Sequence, residues 1–168
     1  MLRRFMRHFL ASYWQVDQCF PPPVLDAIRQ AIEQAEVRQG GEIQFVIEAG
    51  LSPGQLLRRL TPRERAMALF SELRVWDTEN NNGVLIYVLL GDHAVEIVAD
   101  RGVQRQLDVH PTNPQCWAPI VTALQHAFAS GHYQLGAVAA VDAIAGELLE
   151  FFPPDGNANA LPNEVRLI

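Results

Sequence analysis

Lysine is missing from this 168-residue chain: all 13 basic side chains are arginines. P-loop phosphate binding through lysine, Schiff-base chemistry and a lysine general base are therefore excluded. A GC-rich coding bias accounts for the absence without any selection against lysine. Cysteine is nearly as scarce. Cys19 and Cys116 stand far apart, with neither C-x-x-C nor metal-finger spacing, and read as ordinary buried thiols of a reducing compartment. Long hydrophobic runs are missing too. The longest, Val84 to Leu90, has strand length and falls well short of the roughly 18 residues of a spanning helix. There is no basic excess: a net charge of −6 excludes a general nucleic-acid binder, which needs a positive surface. The N-terminus has a basic start with Arg3-Arg4. Arg7 and His8 interrupt any apolar signal core, however, and no small-residue cleavage pattern follows. The expectation is an unexported, soluble, cytoplasmic protein.

What is present is ample apolar material, 49% of the residues, enough for one domain with a substantial core. Residues 2–14 place Leu2, Phe5, Met6, Phe9, Leu10, Tyr13 and Trp14 at helical spacing, with Arg3, Arg4, Arg7 and His8 elsewhere. Such a basic amphipathic helix can lie on an anionic membrane surface. More often it covers its own domain or a second copy, and that reading is preferred. Pro21-Pro22-Pro23 is a stiff linker and a helix start. The divisions are an N-terminal helix and linker over 1–22, a domain over 23–152 and a mobile tail over 153–168.

Within the domain, a helix with Val24, Leu25, Ile28, Ala31, Ile32 and Ala35 on one stripe ends at Gly40-Gly41. The first strand, Glu42–Ala49, alternates, so one of its faces is expected to be partly wet. Ser52-Pro53-Gly54 breaks the chain ahead of a short helical turn. Thr61-Pro62-Arg63-Glu64 has the form of a capping box opening a second helix. Val84–Leu90 is apolar on both faces and fits a central strand between helices. Ala94–Ala99 is its hairpin partner, with Gly91-Asp92 as a two-residue turn. Val103–Val109 reads as a short edge strand or an irregular crossing. Pro111-Thr112-Asn113-Pro114 caps a helix carrying Trp117, Ile120, Val121, Leu124 and Phe128, and a last helix runs from Tyr133 to Phe152. A parallel crossover joins the first two strands. The fold class is α/β: a three-layer helix–sheet–helix sandwich with a small mixed β-sheet and an extra N-terminal helix.

The hairpin register gathers two polar clusters. If Leu90 pairs with His93, Gly83 lies opposite Asp100 and Asn82 opposite Arg101. Asp77, Glu79 and Asp100 supply carboxylates, and Asn80, Asn81 and Asn82 supply amide oxygens. These hard oxygen donors suit Ca²⁺ or Mg²⁺, with Arg101 pairing with an acid or a bound anion. The Asp77-x-Glu79-x-Asn81-x-Gly83 run is not an EF-hand, because its glycine comes one place late and Val88 replaces the twelfth-position acid. The same residues read equally well as a structural turn with an Asp100–Arg101 ion pair. The five histidines show no ligand spacing, and Ser71 has no visible base.

At these clusters the chain resembles the TPM-domain family, named for plant thylakoid-lumen, photosystem-repair and receptor-accessory proteins. The likeness runs over roughly residues 23–152. It rests on Phe70-Ser71-Glu72-Leu73, then Asp77 with Asn80-Asn81-Asn82-Gly83-Val84-Leu85, Val95 to Val103 including Asp100-Arg101-Gly102, and Phe128-Ala129-Ser130-Gly131-His132-Tyr133. The resemblance implies the same sandwich and a metal-binding acidic pocket at the Asn-Asn-Gly end of the sheet, with Asp77, Asn81, Asp100 and Arg101 as its residues. The expected lack of an export signal and membrane anchor would set the chain apart from many members. Two functions follow: a non-catalytic binding or accessory domain with a divalent-cation site and a protein partner, and, as the alternative, a metal-assisted acid-phosphatase-like hydrolase. The first is preferred because no clear general base accompanies the cluster beyond Asp77 or Asp100. No catalytic residue and no organic cofactor is assigned.

Overall fold

Period-two alternation along three apolar strands builds two separate cores on the two faces of one sheet. The computed structural model describes residues 2–10, 13–109, 117–154 and 161–168. Its helices are α1 (Leu2–Leu10), α2 (Tyr13–Cys19), α3 (Pro22–Arg38), α4 (Pro53–Leu57), α5 (Pro62–Glu72), α6 (Arg101–Val109), α7 (Trp117–Ala129) and α8 (Tyr133–Phe151). Its strands are β1 (Glu42–Glu48), β2 (Gly83–Leu89), β3 (Ala94–Ala99) and β4 (Arg166–Leu167), in sheet order β3-β2-β1-β4. Only β2 and β3 are antiparallel. Ile43, Phe45, Ile47, Val84, Ile86 and Val88 point to one face, beneath Ile28 and Ile32 of α3, Leu124 of α7 and Ile144 of α8. Val46, Leu85, Tyr87 and Leu89 point to the other, beneath Leu56 of α4 and Ala66 and Leu69 of α5. This is the predicted three-layer sandwich with a mixed sheet and additional N-terminal helices.

Local signals set the element starts. Thr61 and Glu64 form the capping box read from the sequence. Ser52 and Gln55 form a second, so α4 begins at Pro53 and not after the Ser-Pro-Gly break. Val103–Val109 is neither strand nor crossing: it belongs to α6, whose Val103 and Leu107, four apart, are both buried. The Pro111–Pro114 cap, His110 and Cys116 lie outside the described residues.

The first strand has no wet face. Gln44 and Glu48 are buried. Residues 161–168, read from sequence as part of a mobile tail, run along β1 instead. There Leu161 N–H donates to Glu42 Oε2 at 3.1 Å and Gln44 Nε2 donates to the Glu164 carbonyl at 3.0 Å. Ile168 exchanges backbone hydrogen bonds with Ile47 and Ala49. The polar alternate positions of β1 are thus partners for a covering segment. Glu48 accepts from Tyr87 Oη at 2.5 Å and from Arg65 Nε of α5 at 3.0 Å. Burial and the Glu48 charge push the Tyr87 hydroxyl pKa up. Burial works against the Arg65 charge, but hydrogen bonds to Glu48 outweigh it and raise the Arg65 pKa.

The N-terminal segment is also corrected. It forms two helices, α1 and α2, and α1 meets the domain through its basic side. Arg4 clamps Asp92, with Nη2 at 2.6 Å, and donates to the Leu60 carbonyl at 2.7 Å. His8 is buried; its Nδ1 accepts the Leu51 N–H at 2.9 Å and its Nε2 stands 3.0 Å from Asp92 Oδ1. An accepting Nδ1 places the imidazole proton on Nε2, facing the carboxylate. Phe5 packs inward, whereas Met6, Phe9 and Trp14 of the apolar stripe are exposed. The hairpin end packs against α1. In place of a two-residue turn, Leu90–Asp92 forms a 3₁₀ turn closed by His93 at φ 52°, and a Cβ at Gly91 would collide with the His8 ring. The strand register is unaffected.

Candidate functional site

Every β2–β3 pair, from Val84↔Ala99 to Leu89↔Ala94, keeps the register predicted from sequence. Continuing it, the Asp100 N–H donates to the Gly83 carbonyl at 2.9 Å. The chain between α5 and β2 folds back on itself to reach that point. Val75 N–H returns to the Phe70 carbonyl at 3.0 Å, Asp77 N–H to Arg74 at 2.8 Å, and Asn81 N–H to Thr78 at 3.2 Å. Asn81 adopts φ 52°, a left-handed conformation that asparagine tolerates better than most residues. Two glycines permit the close approach. A Cβ at Gly83 would overlap the Val75 carbonyl, and one at Gly102 would overlap the carbonyls of Asn80 and Asn81. The asparagine loop therefore rests directly on the first turn of α6.

A cavity of about 510 Å³ opens here. Phe70 and Ser71 of α5, Trp76 and Asn81 of the loop, and Asp100 and Arg101 at the start of α6 line it. Asp100 is the buried charge of the site. Its Oδ1 accepts the Arg101 N–H at 2.5 Å and its carbonyl accepts the Gln104 N–H at 2.9 Å, which fixes it at the start of α6. Its Oδ2 is buried and has no hydrogen-bond partner among the described residues. A carboxylate oxygen left so is costly unless something else satisfies it. Arg101 is exposed on the rim.

Of the residues singled out from sequence, the structure brings Asn81, Asp100 and Arg101 to one cavity wall. The others lie elsewhere. Asp77 is exposed and stands 4.0 Å from Arg74. Glu79 and Asn80 are exposed, although the Asn80 carbonyl meets Gly102. Asn82 is buried and does not face Arg101: its side-chain amide donates to the Gly40 carbonyl and its N–H to Thr78 Oγ1, which ties the loop to the start of β1. Met67 and Trp76 are wall residues that the sequence reading above did not single out.

Among the described residues no group of three or more His, Cys, Asp or Glu side chains is placed to hold a metal ion. The residues bordering the cavity include one carboxyl group, that of Asp100, and one amide residue, Asn81. Those are hard oxygen donors with a single formal charge. They fit a weakly held, largely hydrated Ca²⁺ or Mg²⁺, and not zinc or copper.

The sequence profile of the TPM domain matches residues 17–147. Among solved structures, the NMR structure of the BA42 protein from the psychrophilic bacterium Bizionia argentinensis is similar, with a TM-score of 0.73 and 29% sequence identity. The match covers 87% of this chain and 93% of that one. No curated protein matches. Among the described residues no helix is long and apolar enough to cross a membrane.

Proposed function

Because the chain belongs to the TPM domain family, we propose that it is a non-catalytic binding domain in which a divalent cation, calcium before magnesium, orders the Asn81–Asp100 end of the sheet for a protein partner. The observation that carries this reading is the buried, unpartnered Oδ2 of Asp100, a residue that borders the cavity. Asp100 and the Asn81 amide would hold the ion, with water completing its shell. One formal charge in the donor set belongs with the weak end of calcium affinities, about 10⁻⁴–10⁻³ M. When bound, the ion supplies the positive charge that the Asp100 carboxylate lacks. Asp77 and Glu79 stand outside the wall and contribute at most to the field around it.

Calcium titration followed by thermal melting tests this. For Kd near 1 mM, 10 mM calcium stabilises the fold by about 1.4 kcal/mol, which raises Tm by about 3–6 °C. Asp100→Asn keeps an oxygen to accept the Arg101 N–H and removes the charge, so the shift should vanish while the metal-free protein stays folded. An unchanged shift in Asp100→Asn would discard the site. Phosphomonoester turnover that Asp100→Asn abolishes in a folded protein would replace this reading by a hydrolytic one.

A further inference from the structure

At the other end of β2, roughly 20 Å away along a seven-residue strand, a second cavity of about 350 Å³ is built quite differently. Val88, Leu90 and Val95 of the hairpin end form one side, and Phe128 and Tyr133, from the junction of α7 and α8, form another. The aromatic side is rigid. Phe20, Phe128 and Tyr133 contact one another with ring centroids 5.3–5.5 Å apart, Phe20 and Phe128 edge to face. Helix α2 closes the third side with Cys19, a free thiol beside Tyr133. The remaining polar groups are the amides of Gln15 and Gln125 and the imidazole of His93, and the lining carries no Asp, Glu or Arg. A concave, mostly apolar space with a few converging polar groups is the usual form of a small-molecule site.

We infer that this cavity binds a small, neutral, largely aromatic molecule bearing one hydrogen-bonding group, with its ring system against Phe128 and Tyr133 and its polar group toward Gln15 or Gln125. Neutrality follows from the wall. A carboxylate or phosphate ligand would leave water without meeting an arginine there, at a cost of several kcal/mol. The aromatic preference follows from the fixed rings, which offer stacking area with little conformational entropy to lose. The inference is independent of the cation site, since no residue lines both cavities.

Prodan, a neutral naphthalene ketone whose emission reports polarity, is the probe. The wild-type chain should bind it saturably, one per chain, with blue-shifted emission. Ala129→Trp, on the exposed lip of the cavity, should weaken binding at least tenfold, and the doubly substituted Met6→Ser, Phe9→Ser chain should bind as the wild type does. The anionic analogue 8-anilinonaphthalene-1-sulfonate should bind at least tenfold more weakly than prodan. Saturating prodan should also slow alkylation of Cys19 by iodoacetamide at least fivefold, read on the Cys19 peptide, a measurement that needs no variant. Binding that survives Ala129→Trp in a folded protein, that is lost on changing Met6 and Phe9, or that leaves Cys19 alkylation unchanged would overturn the proposal. So would a concentration-dependent dimer from which prodan is excluded, because a second copy would then be the occupant.

Discussion

Tyr87 of β2 donates its hydroxyl proton to Glu48 of β1 at 2.5 Å, beneath α5 and out of reach of solvent. The carboxylate also holds Arg65, whose side chain and that of Glu48 are 14% and 8% exposed. One polar cluster thus joins two parallel strands to the helix that crosses between them. Removing one neutral donor leaves the ion pair intact, so Tyr87→Phe should cost about 1–2 kcal/mol. Arg65→Met leaves Glu48 buried and unpaired and should cost about 3–5 kcal/mol. Urea denaturation of the two variants checks both the order and the size.

Asp92 fastens α1 to the hairpin end. Burial alone would raise its pKa, but the Arg4 guanidinium that clamps it, together with the neighbouring His8 ring, outweighs burial and holds it below the ordinary 3.8. A lowered carboxylate pKa contributes stability that is present above the ordinary value and lost as pH falls through the lowered one. Asp92→Asn should remove about 1–3 kcal/mol and release α1. Amide exchange over residues 3–9 should then quicken at least tenfold at neutral pH, while exchange in β1 and β2 changes far less.

Glu36 of α3 has the opposite sign. Burial, reinforced by the Glu42 and Glu33 charges, lifts its pKa from 4.5 to about 8, against the lowering effect of the Ile43 N–H and of Asn163. The folded chain therefore holds a proton that the unfolded chain releases. The associated stability is complete below pH 4.5 and is lost as pH rises through about 8. Denaturation midpoints should fall between pH 5 and 8.5, and Glu36→Gln should flatten that slope. A wild-type midpoint that rises over this range would refute the assignment.

Strand β4 protects an edge. Residues 161–168 cover β1 through the Ile168 hydrogen bonds to Ile47 and Ala49. Ending the chain at residue 160 would leave an apolar parallel strand with unpaired backbone groups, the situation that leads to edge-to-edge association. The truncated chain should dimerise or aggregate in light scattering at concentrations where the full chain does not.

Much of this architecture was legible because it is local. The Thr61–Glu64 capping box, the turn-centred register of β2 and β3 and the apolar stripes of α3, α7 and α8 are each set by neighbouring residues. What stayed hidden depends on distant partners. The basic side of α1 turns inward because Arg4 meets Asp92, 88 positions away. The polar face of β1 is dry because a segment about 120 residues later supplies its hydrogen bonds. For the candidate site the sequence indicated the place but not the direction of each side chain. Nothing in Asn80-Asn81-Asn82 distinguishes the asparagine that lines the cavity from the one that ties the loop to Gly40.

Calcium titration of the ¹⁵N-labelled chain tests the central claim most directly. The account predicts saturable amide shifts confined to residues 80–83 and 99–103, absent in Asp100→Asn, with a midpoint near millimolar. Shifts spread over the exposed acids Asp77 and Glu79 without Asp100, or none at 20 mM calcium, would contradict it.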